Sequence, residues 1–114
     1  MFCAQDFVST ILERDSQASI ITGGDFNEFV QTRSAFASLD GLLIETDEVA
    51  NIPPFERYTY VFQQSTQQLD HIFVSNAIAE RGVEMEHIHV NNWSPSFSAR
   101  VSDHDPSVAK LKVC

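Results

Sequence analysis

Positive charge is scarce in this chain. Seven of its 114 residues are Lys or Arg against sixteen Asp or Glu, a formal net charge of −9. The seven, Arg14, Arg33, Arg57, Arg81, Arg100, Lys110 and Lys112, are scattered. Without a cationic tract, loose charge-driven binding to nucleic acid or to an anionic membrane is disfavoured. A metal-dependent enzyme remains open, because a bound ion inverts the local electrostatics of an acidic site. No apolar run approaches the roughly 20 residues of a membrane helix. The opening "MFCAQDF" lacks the basic n-region and long apolar h-region of a signal peptide, so none is expected. Low-complexity tracts and internal repeats are missing as well. Cysteine is limited to Cys3 and Cys114, at the two ends. They can pair in an oxidising compartment or stand as two small hydrophobes, and two cysteines do not fix the compartment.

What is present is an ordinary globular composition, 43% hydrophobic, and enough chain for one small domain with a core. Residues 4–14 place Ala4, Phe7, Val8, Ile11 and Leu12 at helical spacing, which predicts an amphipathic helix. The run 18–22, "ASIIT", reads as a buried strand entering a tight turn at Gly23-Gly24. A second helix is expected over 31–38, then the apolar stretch 40–45 and a loop to Pro53-Pro54, where the prolines bar regular structure. "RYTYVFQ" (57–63) and "LDHIFVS" (69–75) read as the two strands of a hairpin turning at "QSTQQ". Further strands are expected at 82–91 and 107–114, the second with Lys110 and Lys112 on a solvated face. The expected class is α/β (α+β), with a mainly antiparallel sheet backed by helices.

Three acidic motifs lie beside or within these strands. In "GDFN", Asp25 and Asn27 are two apart, so an extended backbone points both to one side, where they can hold a water and a phosphoryl oxygen. The same residues could merely close an Asx-turn. In "LDHI", Asp70 interrupts an apolar strand and is costly there unless paired; His71 points to the opposite face. In "SDHDP", Asp103, His104 and Asp105 can supply a metal ligand and a general acid/base, or form a solvated turn. Taken together, Asp70 can orient His104, while Asp25, Asn27, Asp103 and His104 share a pocket suited to metal-assisted phosphoester hydrolysis. A serine hydrolase built on Ser102, His104 and Asp70 is disfavoured, because Ser102 and His104 are too close in sequence and no G-x-S-x-G elbow exists. A zinc site from His71, His87, His89 and His104 is weaker still; the spacing of His87 and His89 suggests a half-exposed strand face.

"GDFN", "RYTYVFQ…LDHIFVS" and "SDHDP", in that order, resemble the C-terminal half of the endonuclease/exonuclease/phosphatase superfamily, most nearly its secreted bacterial and fungal nuclease-like members. The resemblance implies half of a four-layer α/β sandwich and hydrolysis of phosphodiester bonds, with Mg²⁺ or Mn²⁺ as cofactor. Nucleic acid or another phosphodiester would be the substrate, with a lipid or inositol phosphate as the alternative. By position, Asp25 would activate water, Asn27 would contact the scissile phosphate, Asp70 would orient His104, and His104 would stabilise the developing charge. Asp103, with Asp25 and Asn27, would serve the metal. Arg57, Tyr58 and Tyr60 would lie on the substrate side. Family members are usually more than twice this length, and their first half supplies a metal-binding Glu; Glu13, on a helix, is in the wrong context. The expected organisation is one partial domain over 1–114 that lacks its N-terminal half. Its uncovered sheet face would favour self-association. Without that half, the chain could also be a catalytically incomplete binding module.

Overall fold

The computed structural model describes residues 2–25, 41–62 and 65–113. The expected helix at 31–38 and the candidate residue Asn27 lie outside these, as does Cys114. The first element is helix α1, Phe2–Arg14, followed by strand β1, Ile21–Asp25. Strand β2, Leu43–Glu45, leads directly into the short helix α2, Thr46–Val49. A 3₁₀ turn, Pro54–Glu56, precedes β3, Tyr60–Phe62, and β4, Ser65–Gln67. Then come β5, Asp70–Ser75, helix α3, Asn76–Arg81, and β6, Val83–His87. A second 3₁₀ turn, Phe97–Ala99, precedes β7, Ser107–Leu111.

Among the described residues every strand pairing is antiparallel, but the strands divide among three sheets: β1-β5-β2, β3-β4 and β6-β7. This corrects the expected hairpin. The polar stretch Ser65–Gln67 pairs with β3, and β5 enters a different sheet. The reason lies in β5 itself. His71, Phe73, Val74 and Ser75 are all buried, so side chains on both of its faces are covered. It fits the centre of a sheet, with β1 on one side and β2 on the other.

The expected strand at 18–22 also shifts. Pairing runs from Ile21 through both glycines to Asp25, and the strand is an exposed edge rather than a buried one; Ile21 is 50% exposed. Gly23 allows this, since a Cβ there would lie 3.2 Å from the His71 carbonyl oxygen and 3.3 Å from Ile72 Cγ1. Gly24, with φ +149°, adopts backbone that L side chains rarely take. Residues before the strand are tied in by Ser75, whose hydroxyl donates to the Ala18 carbonyl (2.7 Å) and accepts from the Ile20 amide (3.0 Å).

Regular structure also reaches the prolines. Pro54 occupies the first turn of its 3₁₀ helix, where a missing N–H costs nothing. The apolar core is small: Val8 of α1 packs with Leu43 and Phe73, flanked by Leu12, Ile20 and Leu42. Beside it lies a buried polar chain. The Glu45 carboxylate meets His71 Nδ1 (2.9 Å) and accepts from Gln68 Nε2 (2.9 Å). Gln68 also bonds Asp47, which meets His87 Nε2 (2.8 Å); His87 Nδ1 meets Ser107 Oγ (2.7 Å). Burial alone would raise the Asp47 carboxyl pKa. The hydrogen bond and charge of His87, with Gln68 and Arg57, instead hold it below its ordinary value.

Candidate active site

The β1–β5 register sets Asp25 directly opposite Asp70, at the end of both strands. Like charges in that position repel across the ladder unless a cation stands between them. His104 comes to this pair from the far end of the chain. An isolated antiparallel bridge to Tyr60 fixes its backbone, and the Tyr60 ring lies 5.1 Å from the imidazole. His104 Nδ1 is 2.6 Å from Asp70 Oδ2, and Nε2 is 3.9 Å from Asp25 Oδ2. Ligand atoms of Asp25, Asp70 and His104 all lie within 4.8 Å of one another. Two carboxylates and an imidazole this close suit a divalent cation.

The same carboxylates bias the charge of His104. Partial burial opposes protonation of His104. The hydrogen bond and charge of Asp70, followed by Asp25 and Asp103, overcome it and raise the imidazole pKa above its ordinary value. Asp103 is exposed and is close enough to act on His104 through its charge. Ser102 Oγ accepts from the His104 backbone amide (3.1 Å), a contact with the main chain rather than the imidazole.

The remaining candidate residues stand farther out. Arg57 donates from Nε to the Ile52 carbonyl (2.7 Å) and pairs through Nη1 with Glu48 (3.3 Å). Tyr58 stacks on His89 with ring centroids 3.8 Å apart, and its hydroxyl accepts from Trp93 Nε1 (2.8 Å). The four histidines do not gather into one centre. His71, His87, His89 and His104 pair with Glu45, Asp47, Asp105 and Asp70 respectively. His87 and His89 are 7% and 6% exposed, not the half-exposed face their spacing suggested, because β6 ends at His87 and each ring turns inward to its own acid.

One residue the sequence did not single out, Thr59, and one it offered as a metal ligand or acid/base, Asp105, build the site's support. Fully buried Thr59 accepts at its hydroxyl from the amides of Leu69 (3.2 Å) and Asp70 (3.3 Å). Its carbonyl accepts from the Asp105 amide (2.7 Å). Thr59 therefore holds the Asp70 and His104 segments together. Buried Asp105 accepts from the amides of Asn91 (3.0 Å) and Asn92 (2.9 Å) and meets His89 Nδ1 (2.9 Å). Desolvation would raise its carboxyl pKa; the bonds from Asn92, His89 and Asn91 hold it below the ordinary value. The signal in the sequence was the "DHD" motif, which places Asp105 beside His104; no local pattern marked Thr59.

The end of β5 carrying Asp70, the opposed Asp25 and the bridged His104 form a cluster of two carboxylates and an imidazole at one end of the sheet. The chain belongs to the endonuclease/exonuclease/phosphatase family, whose model matches residues 2–104. Its fold is similar to that of truncated Caenorhabditis elegans TDP2, with a TM-score of 0.69 at 17% identity. That match covers 93% of this chain and 43% of the TDP2 chain. No curated protein matches the sequence.

Proposed function

We propose that this chain is the C-terminal half of the catalytic domain of a Mg²⁺-dependent phosphodiesterase that acts as a nuclease. The observation that carries this reading is the Asp25–Asp70–His104 cluster, formed where two strands of a family member end. Asp25 orients and deprotonates the attacking water. His104, held in one tautomer by Asp70, donates from Nε2 to a phosphoryl oxygen as negative charge develops. Its raised pKa favours the protonated imidazole, the form that binds an anion. Asn27 contacts the scissile phosphate, and Tyr58, Tyr60 and Arg57 line the substrate side. Asp25 and Asp103, with Asn27, serve the metal ion. Bound there, the ion neutralises phosphate charge and polarises the phosphoryl oxygen.

The chain's span of 43% of the TDP2 chain favours a second reading, in which this half needs another to act. One experiment separates the two. Plasmid DNA and a generic phosphodiester are incubated with the purified chain and Mg²⁺ or Mn²⁺, with chelator, and with His104→Ala as the blank. Chelator-sensitive cleavage that vanishes in the variant supports a working site. A folded chain that cleaves neither substrate refutes independent catalysis and leaves the half-domain reading.

A further inference from the structure

We propose that His89 Nε2 and Glu56 Oε2 form a second metal site, for a zinc-type transition-metal ion, using none of the residues of the Asp25–Asp70–His104 cluster. The His89 side chain is 3% exposed, yet its Nε2 has no hydrogen-bond partner. A buried ring nitrogen is rarely left so. The other nitrogen, Nδ1, lies 2.9 Å from the Asp105 carboxylate. Donation from Nδ1 to that carboxylate would leave the lone pair on Nε2. This carboxylate–histidine pairing orients metal-binding imidazoles. Glu56 Oε2 stands 3.4 Å from Nε2. Hydrogen bonds of this type cluster near 2.9–3.0 Å. Two donors on one tetrahedral zinc, at about 2.0–2.2 Å each, stand roughly 3.3–3.5 Å apart. The pair lines a cavity of about 320 Å³ with Glu86, which adds negative charge and leaves room for waters to complete the coordination. The ion would clamp the Pro54–Glu56 turn to the segment after β6.

The test uses Trp93, the single tryptophan of the chain, whose ring centroid is 5.5 Å from that of His89. Ni²⁺ or Co²⁺ is titrated into the full chain while tryptophan fluorescence is followed, and Zn²⁺ is then added as a competitor. Saturable quenching that Zn²⁺ displaces is expected. Glu56→Gln and His89→Gln should each weaken it by about tenfold or more, and His104→Ala should leave it unchanged. The Glu56 side chain is 47% exposed, so Glu56→Gln tests the site without disturbing folding. Absence of quenching, or quenching equal in Glu56→Gln and wild type, overturns the proposal and leaves His89 and Glu56 as an ion pair only.

Discussion

Replacing Gly23 with Ala tests how β1 is held against β5. The added Cβ would lie 3.2 Å from the His71 carbonyl oxygen, a backbone atom inside a paired strand that cannot rotate away. Ile72 Cγ1, at 3.3 Å, gives little more room. The chain must lift β1 from its neighbour, an overpacking cost of about 1–3 kcal/mol. At roughly 4–8 °C per kcal/mol for a domain near this size, the melting temperature should fall by about 4–24 °C. Gly24 offers the control. A Cβ there meets nothing within 4 Å, so Gly24→Ala is penalised only through its φ of +149°. Enlarging the side chain to Val should therefore worsen the position 23 variant sharply and the position 24 variant little. Calorimetry on the four variants measures this. Because Gly23 sits two residues from the Asp25↔Asp70 pair, Gly23→Ala should also lower any hydrolytic activity. A Gly23→Val chain that melts with wild type would refute the close-approach argument.

Removing His87 from the buried polar chain should be severe: His87→Phe deprives the Asp47 carboxylate, 1% exposed, of its imidazole partner and leaves it only the Gln68 amide as a described donor, at a cost of about 3–5 kcal/mol. In urea denaturation, His87→Phe combined with Asp47→Leu should recover most of that loss, and simple additivity would count against the pairing. The folded-state pKa values of Asp47 and Asp105 lie below the ordinary 3.8, so their stabilisation is complete above that value and fades as pH falls through the lower folded values. Asp105→Asn should accordingly flatten the acid limb of a stability–pH curve. His104 runs the other way. Its folded pKa lies above 6.5, so its contribution is complete below 6.5 and is lost as pH rises through the higher folded value. An NMR titration of the His104 ring should show this raised midpoint in wild type and a lower one in Asp70→Asn; an unmoved midpoint would show that Asp70 is not the main partner.

The site was more legible in the sequence than the sheets were. An aspartate inside the apolar "LDHIFVS" run needs a partner, and "SDHDP" offered one; the structure brings Asp70 and His104 to 2.6 Å. Strand pairing was not legible, because a three-residue polar strand such as Ser65–Gln67 has the composition of a turn. Helix α3 escaped for a related reason: six residues following a strand without a break offer too little periodicity. The buried partners of the other histidines were also hidden. Glu45 lies 26 residues from His71, and Asp47 lies 40 from His87. Nothing local distinguishes those acids from the solvated ones around them; the pairing of β2 with β5 and the packing of α2 against β5 and β6 bring them inside.

Thr59 and the Tyr60–His104 bridge have a consequence for how the chain assembles. Asp70 belongs to the β1-β5-β2 sheet and Tyr60 to β3-β4, while His104 lies outside the strands, shortly before β7, so the site draws on segments of different sheets. Asp70 and His104 are 34 residues apart. Closing loops of that length is entropically expensive compared with forming adjacent hairpins. The His104 environment is therefore expected to form late in refolding, after β3 has met β4 and β6 has met β7, which the His104 ring signal in a refolding experiment checks. The site doubles as a gauge of completed folding.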